Sequence, residues 1–306
     1  MSIDRELIRV ARATLALLDP TRNEALHQLL AFFGPVEALA WLNAPTRTPA
    51  EQAEILRGVS IDRLLAHHAT VAARTEEAGA RVLIPEDDAW PARLDDLSRV
   101  AFTGAPSSAL CLWIRGNGDP STALRRVVAV TGARAATAYG QTVAGDVSYG
   151  LAGQGWSVAA GSSVGIDSAA LRGALAAGGP AIAVLPAGID RPYPAANTDV
   201  LARVADRGLL ISADPPDSAT TSRRFVAARR LLAGLGHGAV VVEAAAGSQA
   251  LTVLDETISR GRRAMVVPGP VTSAMSSGTH AYLREHPQAR LVRHTADIVA
   301  ELPSAG

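Results

Sequence analysis

Two serines stand between two glycines in AAGSSVGIDSAALRGAL, residues 159–175. An apolar run ends at Gly161, and an Ala-rich helical pattern opens at Ile166-Asp167. Glycines let a backbone approach a ligand closely, and the first N–H groups of a helix lack intrahelical partners. Such a turn suits an anion, above all a phosphate. Gly161, Ser162 and Gly165 are therefore candidate contacts. Asp167 is expected to cap the helix rather than touch a ligand. The spacing is not the G-x-G-x-x-G fingerprint, and VTGARAATAYG (130–140) does not supply it either. With no acid placed at the end of the second strand to read a ribose, a nicotinamide-dependent dehydrogenase is disfavoured.

Further residues of fitting type lie downstream of other apolar runs. Gly132 and Arg134 follow VVAVT, and Arg134 should project over the strand ends beside the glycine turn. SRRFVAARR (222–230) carries Arg223, Arg224, Arg229 and Arg230 on one helix and its approach. Arg229 and Arg230 fall on adjacent sides of a turn, so the four cannot all face one ligand. Glu243, at the end of AVVVE, is read as ordering neighbouring loops rather than as a general base. His67-His68 are read as surface residues of a helix. There is no G-x-S-x-G elbow, Walker loop or metal-spaced Cys/His set, so binding is expected over catalysis, with no cofactor or metal.

The chain has 306 residues, 48% hydrophobic, 19% charged and only 4% aromatic, enough apolar material for a core built from Ala, Val, Leu and Ile. Formal net charge is zero, so total charge argues for no nucleic-acid role. All 29 residues of the Lys+Arg total are arginines, and any cationic phosphate contact must come from guanidinium groups. No apolar run reaches membrane-spanning length, and no signal peptide is read. The single cysteine, Cys111, excludes an intramolecular disulfide and fits a cytoplasmic protein.

The elements that must position these residues can be traced along the chain. Residues 1–80 read as an all-helical module of helix-hairpin-helix or SAM-like type, broken at Gly34-Pro35, with Thr or Ser suited to cap its later helices. Residues 81–125 read as connecting strands and a loop. From 126 to 306, short apolar strands at 127–131, 157–160, 181–185, 209–213, 239–243 and 264–268 alternate with helices. That alternation predicts an α/β fold, an extended Rossmann-like parallel sheet with helices on both faces. Each strand exits into turn formers, which places six Gly- or Pro-rich loops on the edge where such sheets bind ligands.

At these residues the chain resembles the DNA-processing protein A family (DprA, also called Smf). The resemblance rests on WPARLDDL (90–97), VTGARAATAYG (130–140), AGSSVGIDSAALRGAL (160–175), AVLPAGIDRPYPAAN (183–197), GLLISADPP (208–216), RRFVAARRLLAGL (223–235), VVVEAAAGSQAL (240–251) and VVPGPVTSAMSSGTH (266–280). It implies single-stranded DNA binding, help in loading the RecA recombinase during natural transformation, and a homodimer. It also implies that Arg134, the Gly161–Asp167 turn and the Tyr193–Asn197 loop line the DNA pocket. Gly132, Arg229, Arg230 and Ser248 complete the candidate set. Tyr139, Tyr193 and Phe225 are the aromatic residues near the edge, Phe225 being read as packing.

Departures from the family pattern stand at Leu171, where a histidine is usual, at Ala228, at Ser248-Gln249-Ala250 and at Val253; all are expected on the ligand edge. The C-terminal winged helix of many members is not expected. Two other functions compete: a sensor of a nucleotide-derived ligand or a phosphoribohydrolase on a related core, and a divergent paralogue acting through protein contacts. EAAAGSQAL lacks the Pro-Gly-Gly-x-Gly-Thr motif of the phosphoribohydrolases, which disfavours hydrolysis.

Overall fold

A computed structural model describes residues 4–19, 23–95 and 109–303. The end of the WPARLDDL motif and the loop beyond it, within the expected 81–125 connection, lie outside these residues.

The N-terminal helices are α1 (Arg5–Leu15), α2 (Glu24–Leu42), α3 (Pro49–Leu56) and α4 (Ile61–Glu77). Their apolar faces meet in a cluster that includes Leu15, Leu26, Leu42 and Leu64. Thr48 and Ser60 cap α3 and α4, accepting from the backbone N–H groups of Glu51 and Arg63. Gly34, with φ of 77°, kinks α2 ahead of Pro35. The most apolar 18-residue window of α2 has a mean hydropathy of 1.3, and the break at Gly34 divides the element into two helices, as the Gly34-Pro35 reading expects. Its buried residues, Leu26, Leu29, Ala38, Leu39 and Leu42, pack into the helical cluster. His67 also departs from expectation. It is buried, with Nε2 3.4 Å from the Ala13 carbonyl, while His68 meets Thr14 Oγ1 at 2.9 Å; the pair locks α4 to α1.

The sheet order among the described residues is β1-β2-β6-β5-β4-β3-β7-β8-β9. β1 (Ala80–Leu83) and β2 (Leu112–Arg115) form an antiparallel edge, and β2 pairs antiparallel with β6 (Leu209–Ser212). The 81–125 connection thus supplies strands to the same sheet. β3 (Val127–Thr131), β4 (Ser157–Gly161), β5 (Ala181–Val184), β6, β7 (Gly238–Val241), β8 (Arg263–Val266) and the two-residue β9 (Arg290–Leu291) run parallel.

The helices that follow β2 are α5 (Pro120–Ala123), α6 (Ala138–Gly153), α7 (Ile166–Ala176), α8 (Thr198–Arg207), α9 (Ser222–Leu235), α10 (Thr252–Ser259), α11 (Ser277–Glu285) and α12 (Thr295–Glu301). Side chains alternate across a strand, and β3 shows the consequence. Val128 and Val130 join α6, α7, α8 and α12 in one core, while Val127 and Ala129 join α9, α10 and α11 in the other. Both faces are buried, which is why these strands read as continuous apolar runs.

Candidate functional site

β4 lies on one side of β3 and β7 on the other, so the chain reverses direction across the sheet at β3. Ligands in open α/β sheets sit in the crevice beyond the carboxyl ends of the strands at such a switch point. A cavity of about 600 Å³ occupies that place. Its floor includes Thr131 at the end of β3 with Gly132 and Arg134 after it, Gly161 at the end of β4 with Ser162 and Asp167 after it, and Pro186 after β5. α9 forms one wall with Phe225, Ala228 and Arg229, and Ser248, Gln249 and Ala250 close it from beyond β7. The loops after β6 and β8 take no part, so four of the six expected loops converge.

The glycine turn is built differently from expectation. Gly165, not Asp167, is the N-cap of α7, with φ of 83°. A Cβ there would lie 2.3 Å from the Arg134 carbonyl oxygen, so only glycine allows the two loops to touch. The Ile166 N–H donates to the Ala133 carbonyl at 3.1 Å. The Ser163 N–H donates to Asp167 at 3.3 Å, and Thr131 Oγ1 donates to the same carboxylate at 2.6 Å. The chain's own carboxylate therefore sits where an anion was expected. A Cβ at Gly161 would lie 2.5 Å from Asp167 Oδ2, so this glycine admits the carboxylate rather than a ligand. Burial raises the Asp167 pKa to about 6, against the lowering effect of its Thr131, Ser163 and Gly161 hydrogen bonds.

Asn197 does not line the cavity. It is buried, and its Nδ2 donates to the Ser162 and Ser163 carbonyls at 2.8 and 3.2 Å, so it holds the serine turn from behind. Its Oδ1 accepts from Ser168 Oγ at 2.8 Å. Glu243 plays a similar part for the other loop. It accepts from the Thr137 N–H at 2.9 Å and from Thr137 Oγ1 at 2.6 Å, anchoring the start of α6.

The cationic side chains separate by helical phase. Arg229 faces the cavity; Arg230 is turned away and pairs with Glu256 at 2.9 Å. Among the described residues neither Arg134 nor Arg229 has a carboxylate partner. Arg229 donates to Gln249 Oε1 at 3.3 Å, a neutral acceptor, and its Nε is buried without a partner. Burial, and then the nearby Arg134 charge, lower its pKa.

Phe225, read as packing, meets Tyr193 edge to face with ring centroids 5.9 Å apart, and it also lines the cavity. Tyr193 thus stands at the rim through Phe225. Tyr139 is not part of this ring pair; its hydroxyl donates to the Pro268 carbonyl at 2.5 Å.

The departures at Leu171 and Val253 do not lie on the ligand edge. Both side chains are fully buried, Leu171 in one core and Val253 in the other. Ala228 and Ala250 do line the cavity. Thr131, Ser163 and Gln249 are not singled out as contacts by the sequence. The one local signal for them is a polar residue closing an apolar strand at Thr131.

Comparison with known proteins places this architecture. Residues 81–303 match the profile of the DNA recombination-mediator protein A family. A Mycobacterium tuberculosis protein carrying the DprA name is 38% identical over 268 residues, covering 82% of this chain and 67% of that protein. The DNA processing protein DprA of Streptococcus pneumoniae is 33% identical over 174 residues, 57% of this chain and 61% of that one. The X-ray structure of DprA from S. pneumoniae superposes with a TM-score of 0.76 at 23% identity, covering 100% of both chains. A Helicobacter pylori DNA processing protein A, whose structure concerns its single-stranded DNA binding mode, has a TM-score of 0.62 at 22% identity, covering 72% of this chain and 94% of that one. With the profile spanning most of its length, the chain belongs to the DNA recombination-mediator protein A family.

Proposed function

We propose that this protein binds single-stranded DNA in the switch-point cavity and acts as a recombination mediator, not an enzyme. In this reading it is a cytoplasmic homodimer that passes the strand to a RecA-type recombinase. One observation carries the DNA reading: Arg134 and Arg229 share a cavity with no carboxylate partner for either among the described residues, where the Arg229 Nε is also buried without an acceptor. A phosphodiester supplies the missing acceptor, and guanidinium groups bind it in bidentate fashion. The Phe225–Tyr193 pair beside them offers an aromatic face for a base. Asp167 and Asn197 hold the serine turn, and Gly165 seats it against Arg134. Family membership and the relatives' names point the same way.

Fluorescence anisotropy with a labelled dT oligonucleotide tests this at low and physiological salt. Binding is expected to weaken with salt, and Arg134→Ala or Arg229→Ala to lose roughly tenfold or more, the worth of one charge-assisted hydrogen bond. Absence of binding at low salt, or variants that bind like the parent, would overturn the reading.

A further inference from the structure

Arg223, Arg224 and Arg230 take no part in the switch-point cavity. Each residue of an α-helix turns the direction by about 100°. Ser222, Phe225, Val226 and Arg229 therefore share one flank of α9, and Arg223, Arg224, Ala227 and Arg230 the opposite flank. That second flank faces a separate cavity of about 520 Å³ between the N-terminal helices and the sheet. Asp19 and Arg57 line it from the N-terminal side, and Asp214 lines it from the loop after β6.

The three α9 arginines are each held by one carboxylate. Arg223 donates to Asp19 at 2.7 Å, Arg224 to Asp214 at 2.7 Å and Arg230 to Glu256 at 2.9 Å. A guanidinium has five N–H donors, and these carboxylate bonds use one nitrogen of each. Arg224 spends one more on the Ala219 carbonyl. The acids thus fix each fork and leave donors over for a second anion. Four arginines and two aspartates line the cavity, and Glu256 beside it pairs with Arg230, so the arginines outnumber these acids by one in a protein of zero net charge. Leu17, Leu56, Val59 and Leu231 give the same cavity apolar surface for sugars and bases.

We propose that this cavity is a second phosphodiester-binding site, which receives the nucleotides that follow those seated at the switch point. The proposal rests on the single-stranded DNA reading of the first cavity. A helix is about 10–12 Å across with its side chains, a span that a few nucleotides of one strand bridge. α9 then acts as a bar over which the strand bends, with one arginine set on each side. A strand too short to cross it gains nothing from Arg223 or Arg230.

Length dependence tests this. Labelled dT6 and dT20 are titrated by anisotropy against the full chain, the Arg223→Gln/Arg230→Gln double variant and Arg134→Ala, across a salt series. The double variant is expected to bind dT6 like the parent and dT20 roughly tenfold more weakly. Its dT20 salt slope should fall by about 1.4, the signature of two lost single-strand phosphate contacts. Equal weakening of both oligonucleotides, or of neither, overturns the proposal. Arg134→Ala is expected to weaken both lengths. If it weakens neither while the double variant still loses dT20, the switch-point reading fails and the second site stands. Thermal unfolding guards against a misfolded double variant. Arg223→Gln alone, on a side chain 63% exposed, repeats the dT20 comparison with a smaller loss if the double variant unfolds.

Discussion

Replacing Asp167 by asparagine separates the role of a buried charge from that of a ligand contact. An aspartate in an unfolded chain titrates near 3.9, whereas burial raises the Asp167 pKa in the folded protein to about 6. Between those values the folded state holds the proton and the unfolded state does not, so acidification favours folding through this group. Its contribution is fully present below about pH 4 and is lost as pH rises through about 6. A displacement of that size corresponds to about 3 kcal/mol at 1.36 kcal/mol per pH unit. The serine turn is thus held by a carboxylate whose ionisation works against the fold above pH 6. An asparagine side chain cannot ionise, so Asp167→Asn removes this dependence. Other carboxylates titrate equally in both proteins and cancel in the difference. Urea unfolding at several pH values from 4 to 7.5 reads the stability of variant and parent. The variant is expected to gain about 2–3 kcal/mol on the parent between the lowest and highest pH. A difference that stays within about 0.5 kcal/mol over that range, or grows in the opposite direction, would refute the reasoning.

Two further substitutions probe the scaffold around the cavity. Leu171→Ala empties a fully buried site and is expected to destabilise the fold by about 2–5 kcal/mol while leaving dT affinity unchanged at temperatures well below unfolding. An affinity loss in the folded variant would return this residue to the ligand edge. Gly165→Ala forces a Cβ to within 2.3 Å of the Arg134 carbonyl and imposes φ of 83° on alanine. It is expected to lower stability by at least about 1–3 kcal/mol and to weaken dT binding by displacing Arg134. Unchanged binding would show that Arg134 is not positioned through this contact.

The parallel strands are readable because each is an unbroken apolar run, buried on both faces and closed by Gly, Pro or a polar residue. β9 carries no such mark: Arg290 and Leu291 are both exposed, and two residues make no period. The strands of the 81–125 connection can be seen, but not their place. The pairing of β2 with β6 joins Trp113 to Ser212, and nothing local to either specifies the other. In the cavity, Arg134, Arg229 and Ser248 are legible from residue type and from following a strand or lying on a helix. Asp167 reads as a cap because its partner Thr131 comes within reach only when β3 and β4 lie side by side. Asn197 misleads for a like reason, its acceptors being carbonyls more than thirty residues away. That Arg229 and Arg230 face different ways, about 100° apart, follows from helical phase alone; which of them meets the cavity depends on how α9 lies on the sheet.

The antiparallel edge also sets a timetable. β2 is apolar, with Leu112, Trp113 and Ile114 fully buried, and one of its two neighbours is β6. During synthesis at about 5–20 residues per second, β6 leaves the ribosome roughly 5–20 s after β2. The N-terminal helices have an apolar cluster that draws almost wholly on residues before 65 and can gather early, yet the strand beside them must wait. For that interval the nascent chain presents an adhesive strand with a vacant side. The waiting period makes β2 the segment on which a holding chaperone would act, and a pause in translation between β2 and β6 would lengthen the exposure.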